Sequence, residues 1–134
     1  MNCKVCKKYV YLIRIRQRVG KHIILGEIKE NIHLCGFCGE IGCSIDLVCS
    51  SGKGVNKTFK PSSDCKYFKA FSLKSSAKLS KNSPCTNGPI ECTIFKRVFW
   101  SYNMLMHYKI THKNVECLVI ILSDEKRMLA NFSC

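Results

Sequence analysis

Cys3-Lys-Val-Cys6-Lys-Lys-Tyr-Val10 near the start and Cys92-Thr-Ile-Phe95-Lys-Arg-Val-Phe99 near the end decide how this chain reads. One offset of 89 residues lays Cys3 on Cys92, Lys7 on Lys96, Lys8 on Arg97, Val10 on Phe99 and Ile15 on Met104. Arg18 and His22 follow the first stretch, and His107 and His112 follow the second. Eleven residues separate Cys6 from Arg18, and eleven separate Phe95 from His107. Sulfur donors on a tight hairpin and imidazoles one helical turn apart, with two apolar residues between, suit a tetrahedral metal ion. The spacing predicts an internal repeat: two ββα-like units, over residues 3–24 and 92–113.

Both units resemble the C2H2-type zinc-finger family, in which the central separation is about twelve residues, so the turn here is slightly tightened. Each copy departs from that pattern at one ligand. The first has Arg18 at the leading His position, leaving Cys3, Cys6 and His22. The second has Phe95 at the trailing Cys position, leaving Cys92, His107 and His112. Structural zinc takes four protein ligands, so at each copy water or another side chain fills the fourth place, or the site is degenerate and does not bind. Cys85, seven residues before Cys92, is the expected donor at the second copy; Cys117, Cys134 or His33 would have to reach the first through the fold.

The middle segment, residues 33–90, reads as a Cys-rich zinc knuckle. It opens with His33-Leu-Cys35-Gly-Phe-Cys38-Gly39, where the glycines suit a turn that aims two thiolates at one ion. Cys35 and Cys38 are expected to pair with two of Cys43, Cys65 and Cys85, and spacing does not choose among them. His33 reads either as a ligand or as a strand residue beside Cys35. Ser83-Pro-Cys85-Thr-Asn-Gly-Pro89 is a turn by its Pro and Gly content. Residues 115–122 are apolar and predict a strand, and Ser123-Asp-Glu-Lys126 predicts a helix start, since Ser caps free N–H groups. The short run after it reads as a truncated relative of something longer.

The phrases Arg18-Val-Gly-Lys-His22, Cys35-Gly-Phe-Cys38-Gly, Ser63-Asp-Cys65, Pro84-Cys-Thr-Asn87 and Trp100-Ser-Tyr-Asn103 also resemble a family of Cys/His-rich fungal zinc-finger proteins, over roughly residues 3 to 127. Members tend to carry the His and Cys that are absent at Arg18 and Phe95, which implies a diverged paralogue. The resemblance implies zinc binding and transfers no activity.

Composition narrows the classes. The chain has 134 residues, 22 Lys and Arg against 9 Asp and Glu, and a formal charge of +13. Eleven cysteines are about 8% of the residues, near the level of a cysteine scaffold or a set of metal modules. An odd count leaves one over in any disulfide scheme. The 46% hydrophobic content argues against disorder, while Cys, Lys, Ser and Gly dilute any single large core. No apolar run approaches the roughly 20 residues that span a bilayer, and the start has no signal-peptide core. The expectation is a soluble intracellular protein, most naturally nuclear, with no membrane partner, whose cysteines hold Zn2+.

The fold class expected is α+β, small and zinc-dependent, with two ββα-like fingers flanking the knuckle. The function expected is zinc binding in the service of nucleic-acid contact, DNA foremost, mainly through phosphates. Helix positions −1, 3 and 6 of a DNA-reading finger fall on Tyr11, Arg14 and Gln17 in the first copy and on Trp100, Asn103 and Met106 in the second. Arg14, Arg16, Gln17 and Asn103 are therefore the candidate nucleic-acid-binding residues. The alternative is a protein-interaction module using apolar helix residues such as Trp100. Neither reading has a small-molecule substrate, and no enzyme is expected, because only Glu91 and Glu116 stand near ligands as acids. Ser51-Gly-Lys-Gly-Val-Asn-Lys57-Thr58 is not a phosphate loop, since Asn56 stands where that motif needs Gly.

Overall fold

A computed structural model describes residues 1–29, 31–54, 57–76, 85–115, 117 and 123–130. Its first notable local feature is a turn that occurs three times. The backbone N–H of Lys7 donates to the Cys3 carbonyl at 2.9 Å, that of Gly39 to Cys35 at 2.9 Å, and that of Lys96 to Cys92 at 2.7 Å. The residue five past each leading cysteine closes the loop: Cys3 N–H donates to Lys8 and Cys35 N–H to Glu40, both at 2.8 Å, and Cys92 pairs with Arg97. Each turn needs a left-handed residue at its fourth step, with φ of 65° at Lys7, 74° at Gly39 and 59° at Lys96. Glycine takes that conformation freely, whereas a lysine pays roughly 1–2 kcal/mol for it.

Around these turns the described residues form two small antiparallel sheets and four helices, an α+β arrangement. After an isolated bridge between Asn2 and Tyr9 and a 3-10 turn at Leu12–Arg14 comes α1, Ile15–Ile24. Strands β1 (Asp46–Ser51) and β2 (Thr58–Ser62) pair with Asp46 opposite Ser62 and a bulge between Cys49 and Ser51. The short α2 is Leu73–Ser76. Strands β3 (Pro89–Cys92) and β4 (Arg97–Trp100) pair with Pro89 opposite Trp100. A 3-10 turn at Ser101–Asn103 leads into α3, Met104–Thr111, and α4 is Ser123–Ala130. The helix expected at Ser123 is thus present. The strand expected over 115–122 falls largely outside the described residues, as do Cys134 and the start of the turn expected at Ser83.

The apolar residues of all these segments meet in shared clusters. Val10, Ile15 and Val19 from the first segment, Phe37 from the middle and Trp100 from β4 are buried together with Cys3, Cys35, Cys38 and Cys65. Phe37 meets the edge of Trp100 at 5.2 Å between centroids, and Phe71 stacks on Trp100 at 6.2 Å. Trp100 is therefore core and not a partner-facing residue. Gly36 lies flat against its ring: a Cβ there would come within 2.6 Å of the indole.

Arg16 ties α1 to the chain entering β3. Its guanidinium lies 4.4 Å from the Phe71 ring centroid and donates to the carbonyls of Cys85 (3.2 Å) and Asn87 (2.5 Å), with the Cys85 thiol at 3.5 Å. Only 6% of the residue is exposed. On the other side α4 docks through Leu129, buried with Cys85 and Tyr102, and through Glu125, whose Oε1 accepts from the Thr86 N–H at 3.2 Å. Replacing Arg16 by Ala strands two buried carbonyls, which we expect to lower stability by about 3 kcal/mol. Urea unfolding measures this, and a loss below about 0.5 kcal/mol would show that the clamp contributes nothing.

Candidate metal centres

The recurring turn brings cysteine thiols to three places, and at each a distant segment adds donors. The middle centre joins Cys35, Cys38, Cys43 and Cys65, whose sulfur atoms all lie within 4.8 Å of one another. The turn supplies the first two. The β1–β2 hairpin supplies the others, because its feet are tied: Ser44 N–H donates to Asp64 Oδ1 at 2.6 Å and Asp64 N–H to Ser44 Oγ at 3.3 Å. That pair sets Cys43 beside Cys65. Cys38 and Cys43 sulfurs are 3.7 Å apart. A tetrahedral ion with bonds of about 2.3 Å to sulfur requires edges of about 3.8 Å, so the spacing fits. Phe37 N–H also points at Cys35 Sγ, 3.3 Å away, and steadies that ligand.

The thiols at this centre shift in opposite directions. The adjoining Cys35 thiol hydrogen-bonds to Cys38 and holds it down to about 5, so one thiolate forms there. The same contact, followed by burial, drives Cys35 strongly upward, and burial followed by Cys38 pushes Cys43 up to about 12. Four thiols this close cannot all ionise against one another; a bound dication removes the conflict and lets all four ligate.

The N-terminal centre gathers Cys3, Cys6 and His22. His22 is buried on α1, and its Nδ1 lies 3.3 Å from Glu27 Oε2, while its buried Nε2 has no hydrogen-bond partner. A carboxylate on Nδ1–H leaves the Nε2 lone pair for a metal, an arrangement found behind ligating histidines. Burial raises the Cys3 thiol. Burial acts the same way on Cys6, but the Lys8 N–H, the Cys3 thiol and Arg18 outweigh it and bring Cys6 below its usual range.

The C-terminal centre gathers Cys92 from β3, His107 from α3 and His112 just beyond it, all buried. Three atoms converge: Cys92 Sγ to His107 Nε2 is 3.4 Å, Cys92 Sγ to His112 Nε2 is 3.6 Å, and the two Nε2 atoms are 3.2 Å apart. Tetrahedral zinc, with bonds of about 2.0 Å to nitrogen and 2.3 Å to sulfur, implies edges of about 3.3 Å (N–N) and 3.5 Å (S–N). Phe99 stacks on His107 at 4.2 Å, and Phe95 lies against both imidazoles at 5.1 and 4.6 Å.

The donor atoms of the residues expected as ligands fall into these three groups, with one exception. Cys85 joins neither the middle nor the C-terminal centre; it is fully buried beside Arg16, and its thiol faces the α1 backbone. Cys43 takes the place that spacing left open. His33 belongs to none of the three groups and stacks on Phe99 at 6.0 Å. Cys49 is exposed, and all ten described cysteines are free thiols. No helix among the described residues is long and apolar enough to cross a membrane.

The candidate nucleic-acid residues fare differently. Arg14 is exposed. Arg16 is the buried clamp described above, and Asn103, 2% exposed, donates its amide to the Leu34 carbonyl at 2.8 Å. Gln17 is half-buried with its Oε1 enclosed. Arg16 and Asn103 are therefore corrected to packing roles. The reason is tertiary: both lie on helical faces that other segments cover.

Burial lowers the pKa of His22 and, with His112, of His107. Rings held neutral by the fold bind fewer protons than in the unfolded chain, so their stabilisation is complete above about pH 6.5 and is lost as pH falls below it. Metal ligation requires the same neutral rings. Native mass spectrometry across pH 7.5 to 5 should therefore show two of three metal ions leaving together with folding stability. An unchanged metal count would remove both histidines from the ligand set. Comparison of the chain with protein-family models, with curated proteins and with solved structures finds no match.

Proposed function

We propose that this is a zinc-dependent protein in which three zinc centres hold the fold together and a basic surface contacts nucleic acid, mainly through its phosphates. The observation that carries the zinc reading is the convergence of three Cys/His groups at tetrahedral spacing. Sulfur-rich tetrahedral sets favour zinc among common divalent ions. In this reading the two terminal segments are degenerate zinc fingers, supported by their shared left-handed lysines and by the order hairpin, 3-10 turn, helix.

Nucleic-acid contact is supported by the charge of +13. Arg16, Asn103 and Trp100 are buried, so base reading by a helix laid in the major groove is not part of this proposal. Contact through phosphates, from Arg14 and the surface lysines, remains, and a nuclear location follows from that partner. A second reading, docking of a protein, is favoured by one specific observation: Tyr9, Tyr11 and Ile13 are 62%, 60% and 69% exposed within five residues of chain ahead of α1.

Binding of the zinc-loaded chain to a random duplex, followed by fluorescence anisotropy, separates the two. With four phosphate contacts the affinity should fall about a hundredfold between 50 and 200 mM salt, and Arg14→Ala should reduce that slope by about one contact. Absence of binding at 50 mM salt, together with loss of a captured protein in Tyr11→Ala and Ile13→Ala, would replace nucleic acid by a protein partner.

A further inference from the structure

The C-terminal centre brings three donors within 4.8 Å of one another, with no fourth inside that distance among the described residues. Phe95 occupies the hairpin position from which a second thiol would come, with its ring against both histidines. Cys85 lies in a different cluster, against Arg16 and Leu129. One thiol remains close by. Cys117 is half-buried and packs on the cluster formed by Cys92, Phe99 and Met104. Tyr108 packs on that same cluster. The chain beyond α3 turns back at this point, where the Val115 N–H donates to the His112 carbonyl at 3.0 Å.

We propose that Cys117 is the fourth ligand of the C-terminal centre, replacing the hairpin cysteine that Phe95 displaced. The proposal rests on the metal reading of Cys92, His107 and His112. Charge favours it. A dication held by one thiolate and two neutral imidazoles keeps a net charge of one, in a place where Cys92, His107 and His112 are each at most 8% exposed. Buried net charge is strongly disfavoured. A second thiolate brings the centre to neutrality, which a water molecule cannot do. Tethering adds to this, because a thiol five residues past His112 acts at an effective concentration that free ligands do not reach. On coordination the Cys117 thiol loses its proton to solvent and forms one sulfur–metal bond, with no change of oxidation state. Its sulfur stands outside the 4.8 Å group, so binding draws it inward.

The test is cadmium-113 NMR of the full chain reconstituted with that ion, because each added thiolate moves the resonance downfield. The wild type should give three resonances, and Cys92→Ser assigns the C-terminal one. Cys117→Ser should move that resonance upfield and leave the other two in place, which also shows that the variant is folded. Cys117→His should restore a four-coordinate centre with one thiolate fewer. Three resonances unmoved by either Cys117 variant would overturn the assignment while leaving the metal reading intact. A wild-type chain that binds no cadmium would overturn both.

Discussion

The gathering of thiols and imidazoles inside the core is the constraint around which the rest of the fold is arranged. Cys3, Cys35, Cys38 and Cys65 are ligand candidates and core residues at once, buried with Val10, Ile15, Phe37 and Trp100. In an ordinary core, apolar packing comes first and polar groups are fitted around it. Here the polar donors sit at the centre, at a spacing that a bound cation would satisfy. The opposed shifts at Cys35 and Cys38 express the same fact: one sulfur ionises only while its neighbour does not.

The left-handed lysines belong to the same economy. Lys7 and Lys96 accept a disfavoured backbone because that geometry turns the preceding N–H groups and thiols toward one point. Gly39 obtains the same turn without the strain, at the one centre with four thiols. The other two groups have three donors each, with Phe95 beside one and Arg18 beside the other, and these neighbours differ. Phe95 packs its ring over the histidines, whereas Arg18 brings a positive charge beside Cys6.

A single buried arginine shapes what the molecule offers to a partner. Arg16 binds the chain leading into β3, and that draws α1 against α4 and into the interior. The exposed residues here lie ahead of α1, from Tyr11 to Arg14, while Gln17, Arg18 and Lys21 on the helix are half-buried. Beside the lysine-bearing turn, Tyr9 and Tyr11 are exposed, whereas the face of α1 that carries Arg16 is not.

Local spacing was enough to read the donors within each turn. Cys3 with Cys6, Cys35 with Cys38 and His107 with His112 are close in sequence, and hydrogen bonds spanning four or five residues hold them. The α+β class and the helix at Ser123 were legible for the same reason, since capping and ligand spacing are short-range. Long-range pairing was not. Whether Cys43 or Cys85 joins Cys65 depends on the Ser44–Asp64 tie, twenty residues apart in sequence. Arg16 looked like a phosphate contact until Cys85 and Asn87, about seventy residues away, claimed its guanidinium. A sequence states which side chains carry charge or sulfur and how nearby ones are spaced; only the closed fold decides which of them face each other, because that choice is made by segments that meet nowhere along the chain.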